Sequence, residues 1–235
     1  MQDSVSPIKF YSLRFAFYIL LLLITACTTA SPGGTPEPIH VQYTFAAQPW
    51  LAKVDTCAGS NIVISVLRAA DFQNPQSADL VIYVGQPDDP ASYAYQIGTD
   101  ALLVIVNPQN PIHNLTIAQV EGLFTGRIQT WKDVNGTATQ VQAWVFPASD
   151  DVQQIFEHTI LGGSPVTSTA RLANSPDEML QAIQKDVNAI GIITRRWNTG
   201  NVPVVFTGAS SLPVLAIARS KPEGALAQIL ACLQK

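Results

Sequence analysis

The chain has 235 residues, a formal charge of −4, 47% hydrophobic content and only 13% charged residues. Such a composition indicates a well-buried globular body rather than a disordered segment. A mildly acidic chain argues against a nucleic-acid partner, which needs a basic patch.

In chain order, the first segment reads as targeting sequence. A modestly basic start (Lys9, Arg14) leads into an apolar run from Phe15 to Ile24, too short to span a membrane comfortably. The run ends Leu23-Ile24-Thr25-Ala26-Cys27, which looks like a bacterial lipobox with cleavage before Cys27 and lipid on its thiol. Residues 1–26 are then a lipoprotein signal peptide. Their removal takes away Asp3, Lys9 and Arg14, so 13 basic and 17 acidic residues become 11 and 16, and the charge becomes −5. Residues 27–38 are a tether rich in Pro, Gly and Thr. Extended, its TTASPGGTPEP stretch reaches about 35 Å, which holds a domain clear of a membrane surface.

Beyond the tether, strand-like and helix-like segments alternate. Ile39–Tyr43 reads as a strand and Pro49–Cys57 as a helix with Pro in its first turn. Asn61–Leu67 and Ala78–Val84 read as strands rich in Val and Ile. Ala101–Val106, ALLVIV, is a continuous apolar run of the kind buried on both faces. Gln140–Phe146 is a strand, Val152–Thr159 a helix, and Pro176–Val187 an amphipathic helix followed by a strand at Ala189–Thr194. Val202–Phe206 and Leu212–Ala218 are strands, and Glu223–Leu233 is the closing helix. This alternation predicts an α/β fold with largely parallel sheets.

The segment Asn107–Trp131, NPQNPIHNLTIAQVEGLFTGRIQTW, is a strand exit, a Pro-rich turn and a short capped helix. Thr116 and Gln119 fit a capping box, Leu115 and Val120 a hydrophobic staple, and Gly126 ends the helix. In order and spacing, its Asn-Pro, Leu-Thr, Leu-Phe-x-Gly and Trp resemble the phosphate-binding protein family of ABC importers. The resemblance covers nearly the whole mature chain and implies a type II periplasmic-binding-protein fold, two α/β lobes joined by a double-crossover hinge. The crossings are expected near Val106–Pro108 and Pro203–Phe206, giving lobe 1 as residues 39–106 plus 205–235 and lobe 2 as 107–204. In that fold the first and last helices share a lobe, so a Cys57–Cys232 disulfide is expected in an exported chain; two free thiols are the alternative.

Enzyme signatures are missing. There is no Gly-x-Ser-x-Gly elbow, no Walker loop and no metal-ligand spacing among His40, His113 and His158. No cofactor and no metal is expected. The binding signal lies at strand ends, where helix N-termini present backbone N–H groups. Thr44-Phe45 resembles the family's first phosphate loop, which makes both residues candidate ligand contacts. Arg68 sits near the loop after the second strand and is a further candidate. The family's second phosphate loop, an Arg followed by Ser-Gly-Thr, aligns here with Phe146 and with Asp150-Asp151-Val152. A phosphate about 4–5 Å from a fixed carboxylate meets repulsion on the order of 1–4 kcal/mol and loses a bidentate guanidinium partner. Ser149 or Asp150 can cap the helix, with Gln153 completing a box; both caps, and Phe146, are candidate ligand contacts. Trp144 and Phe146 alternate on one strand face and could stack on a solute.

The expectation is therefore an extracytoplasmic, lipid-anchored, monomeric solute-binding protein. It carries an oxyanion or other polar solute to ABC permease subunits, with the family's phosphate contacts largely replaced. Two other readings stand beside it: a surface lipoprotein keeping the fold as an interaction or sensor module, and a hydrolase with an unrecognised site.

Overall fold

The computed structural model describes residues 38–59, 62–66, 78–86, 93–208 and 211–235. Cys27, Arg68, the apolar run and the tether to Glu37 lie outside the described residues. Among the described residues ten strands form two five-stranded sheets within one unit, Pro38–Lys235. The first sheet has the order β2-β1-β3-β10-β4, from Ile62–Val66, Ile39–Tyr43, Leu80–Val84, Leu212–Ala218 and Ala94–Asp100. The second runs β7-β6-β8-β5-β9, from Arg171–Leu172, Gln142–Val145, Ala189–Thr194, Leu102–Val106 and Val204–Thr207. Among the described residues five α-helices accompany them: α1 (Leu51–Ala58), α2 (Ile117–Thr125), α3 (Asp151–Thr159), α4 (Pro176–Lys185) and α5 (Gly224–Leu233). The α/β, type II periplasmic-binding-protein architecture expected from sequence is the one observed.

Two expectations need correction. The sheets are mixed: β1 runs parallel to β2 and β3, and β6 to β7 and β8, but β10 and β5 are antiparallel to their neighbours. Strands β5 and β10 each enter their sheet directly from the other one, through links of one residue (Ala101) and four residues (Gly208 to Ser211), with no crossover helix to turn them parallel. The crossings also move. All of β5 pairs with β8, from Leu102↔Thr194 to Val106↔Ile190, so β5 belongs to the second sheet rather than the first lobe. The first crossing is therefore at Asp100–Leu102. The second follows β9, between Thr207 and Leu212. Hydrophobicity identified the strand, but a strand buried on every side chain carries no mark of which sheet it joins.

The core follows the apolar runs. Every residue of β3, β5 and β8 is buried. Phe124 and Phe156 meet edge to face at 4.6 Å between helices α2 and α3. The Cys57 and Cys232 sulfurs are bonded, joining α1 to α5.

The Asn107–Trp131 segment folds as its caps require. Thr116 Oγ1 accepts the Gln119 N–H while Gln119 Oε1 accepts that of Thr116, and Gly126 takes φ 77° to end α2. Leu115 and Val120 are both buried. The polar residues of the segment then converge on one target. Asn107 Nδ2 donates to the Ile183 and Gln184 carbonyls at 2.8 and 2.9 Å, satisfying the last turn of α4. Asn110 Nδ2 reaches the Val187 carbonyl at 3.1 Å, and Trp131 Nε1 the Asn188 carbonyl at 3.1 Å. The segment is a clasp on the α4–β8 loop, which sets where β8 begins and so where it ends.

Candidate functional site

Four strands deliver their carboxyl ends to the boundary between the sheets: β1 and β3 from the first, β6 and β8 from the second. Beyond β1, Thr44 turns the chain into a 3-10 helix, Phe45–Trp50, that leads into α1. Beyond β3, Gly85 takes φ 93°, and a Cβ there would lie 2.6 Å from Ile155 Cδ1 of α3. Only glycine allows α3 this close. Beyond β6, Phe146 and a four-residue loop lead to the N-terminus of α3. Beyond β8, Thr194 opens a 3-10 turn at Arg195–Trp197.

Asp151 occupies the centre. Its Oδ2 accepts the Thr44 hydroxyl at 2.6 Å and the Val84 N–H at 3.3 Å, while Oδ1 accepts the Val152 N–H at 3.1 Å. One carboxylate is thus bound by the first lobe through a hydroxyl and a strand end, and by the second through a helix N-terminus. Burial pushes Asp151 up to about 6, against the lowering effect of the bonds from Thr44, Val84 and Val152. Asp150 is the N-cap of α3, its Oδ1 accepting the Val152 and Gln153 N–H groups at 2.9 and 3.3 Å. Burial, and then the charge of Asp151 beside it, raise Asp150 to about 8.

The predicted candidates fall into separate roles. Thr44 holds Asp151. Phe45 offers its backbone, whose carbonyl accepts Trp197 Nε1 at 3.0 Å across the lobes. Phe146 is buried and forms one wall of the inter-lobe space. Ser149 is exposed and does not cap; Asp150 does. The Asp150–Gln153 box is only half formed, because Gln153 Oε1 accepts the Phe146 N–H at 3.1 Å and the Asp150 N–H is already given to Pro147. Trp144 does not reach the inter-lobe space; the Arg171 guanidinium lies 5.7 Å from its ring centre.

Three participants were not singled out from sequence: the Val84 N–H, Thr194 and Trp197. Thr194 ends, and Trp197 follows, an otherwise apolar strand, at the carboxyl end where ligands meet α/β sheets, and that was the available signal. Thr194, Trp197 and Asp150 line a space closed on the other side by Ala46 of the first lobe. The space is too narrow for a water molecule. A further cross-lobe contact places the Arg196 guanidinium 3.8 Å from the centre of the Trp50 ring. Among the described residues no group of three His, Cys, Asp or Glu side chains could hold a metal ion, and no helix is long and apolar enough to cross a membrane.

Two mixed sheets, two crossings and a cleft at the strands' carboxyl ends define a two-lobed α/β fold. Residues 88–229 match the family model of the PBP superfamily domain, and the chain belongs to that superfamily. Among solved structures, it resembles a candidate phosphate ABC transporter substrate-binding protein of Clostridium perfringens with bound phosphate. That match has a TM-score of 0.72 and 13% identity, covering 84% of this chain and 93% of that one. An ABC-type phosphate transport receptor of Vibrio cholerae matches with TM-score 0.63 and 17% identity, over 84% and 93%. A reduced form of OxyR from N. meningitidis matches with TM-score 0.60 and 12% identity, over 84% and 94%. At these identities the likeness is one of fold.

Proposed function

We propose that this protein is an extracytoplasmic solute-binding protein, anchored through lipid on Cys27, that closes its lobes on a small solute other than phosphate and delivers it to an ABC permease. One observation carries the exclusion of phosphate. The Asp151 carboxylate takes the hydroxyl of Thr44, the N–H of Val84 and an N–H of the α3 terminus, the donor set with which a type II lobe pair would grip an oxyanion. An incoming phosphate finds those donors taken by the Asp151 carboxylate, whose negative charge stands where the anion would lie. Phe146 stands where the resemblance expects a guanidinium. Ionic repulsion and the lost donors act in the same direction.

A second reading is favoured by a specific feature. The lobes are bonded directly to each other through Asp151–Thr44, Trp197–Phe45 and Arg196–Trp50, with no room for water in the space they enclose. A cleft that closes on itself suits an interaction or sensor module that does not transport. Thermal-shift titration of the full chain with phosphate, sulfate, sugars, amino acids and amines separates the readings. Stabilisation by a solute that is not an oxyanion supports transport. Phosphate binding at micromolar Kd overturns the exclusion, and silence toward every solute supports the module.

A further inference from the structure

The inter-lobe space contains one buried polar atom that no bond among the described residues explains, beside a half-buried carboxyl oxygen left free. Thr194 is 1% exposed, lines the space, and its Oγ1 has no hydrogen-bond partner among the described residues. A buried hydroxyl left unpaired is unfavourable and uncommon. Asp150 lines the same space. Its Oδ1 takes both backbone N–H bonds, which leaves Oδ2 without a hydrogen bond among the described residues. The other walls are apolar or aromatic, chiefly Phe146, Trp197, Ile193 and Pro176. No basic side chain lines the space.

We infer that the solute of this cleft carries an ammonium group, held by Asp150 Oδ2 and Thr194 Oγ1, with its carbon body against Phe146 and Trp197. The inference rests on the solute-binding reading above and names its ligand class. An ammonium supplies the donors that both free oxygens accept, and the aromatic faces add cation–π attraction. The charges favour it. The α3 N-terminus contributes roughly half a positive charge, against two carboxylates at its first turn. Ala46 belongs to the first lobe and the remaining walls to the second, so the solute enters as the lobes part.

Without a cation, Asp150 is neutralised by a proton, which its raised pKa of about 8 expresses. Asp151 is the one charge that shifts it, and none of the other walls of the space titrates. An ammonium replaces that proton. Binding therefore releases a proton at neutral pH and tightens as pH rises toward 8.

The test is isothermal titration of the full chain with methylamine and ethylamine, and with neutral acetamide and anionic acetate as controls. Each is run at pH 6.5 and 8 in two buffers of different ionisation enthalpy. The expected result is binding of at least one ammonium compound but of neither control, several-fold tighter at pH 8, with proton release. Asp150→Asn keeps a helix-capping side chain and should weaken binding at least tenfold and abolish the release. Thr194→Val, close in shape, should weaken it several-fold and leave the release intact. Ammonium binding unchanged in Asp150→Asn overturns the site. Binding of sugars or neutral solutes but no ammonium compound overturns the ligand class and leaves the solute-binding reading standing. No binding of any solute sinks both.

Discussion

Asp151 lies on the internal plane between the lobes, and its charge there has a thermodynamic sign. Its carboxyl is raised from 3.8 to about 6, and that of Asp150 to about 8. In the unfolded chain both lose their protons near pH 4, so above that pH the folded state holds more protons. The stability contributed by these two groups is complete below about pH 4 and is lost as pH rises through 6 and then 8. One pK unit corresponds to about 1.4 kcal/mol, so Asp151 alone accounts for up to about 3 kcal/mol of that loss. Asp151→Asn keeps an oxygen for the Thr44 hydroxyl and removes the charge. It should be more stable than wild type at pH 8 by about 1–3 kcal/mol and indistinguishable near pH 4, by urea denaturation at both pH values. Asp151→Ala leaves the Thr44 hydroxyl and Val84 N–H without their acceptor and should not show the gain.

At the scale of elements, the capped helix and the clasp act differently. Thr116→Ala removes one exposed cap and should cost about 1 kcal/mol. Asn107→Ala strips one buried and one part-buried carbonyl of α4 of their donor and should cost more, about 2–3 kcal/mol, read from the denaturation midpoint. Here the limits of sequence reading are plain. Strands β8 and β10 and the caps at Thr116 and Gly126 were legible because periodicity and turn chemistry are local signals. Strand β4, Ala94–Asp100, was missed: its alternation in burial breaks after Ile97, where its pairing with β10 is irregular, and it includes Gly98, where a Cβ would collide with the Trp50 ring. The sheet membership of β5 was also hidden, since pairing partners are not written in a uniformly apolar run. The site was half legible. The adjacent acids at the α3 N-terminus could be seen, but which one caps and which one crosses the cleft depends on the rotation of a single helical step.

Across the whole molecule, the lobes communicate through two chain crossings and a set of side-chain bonds. Gly85 sets how closely they approach. Gly85→Ala must push Ile155 aside and adopt φ 93° with a side chain, so it should loosen the Asp151–Thr44 contact. Hydrogen exchange at the Val84 amide, slow in wild type, should become faster in this variant while amides of β5 remain protected.

The bond between Cys57 and Cys232, 175 residues apart, encloses the entire second lobe and most of the first in a covalent ring. A covalent ring survives one cut. Cleavage of a single peptide bond anywhere between those cysteines leaves one molecule of unchanged mass but for a water. Limited proteolysis should therefore give a single full-size band on a non-reducing gel that separates into two fragments only after reduction. In the Cys57→Ser, Cys232→Ser variant the same cut should release fragments without reductant. Such a chain can be nicked in a surface loop and still hold both lobes in register.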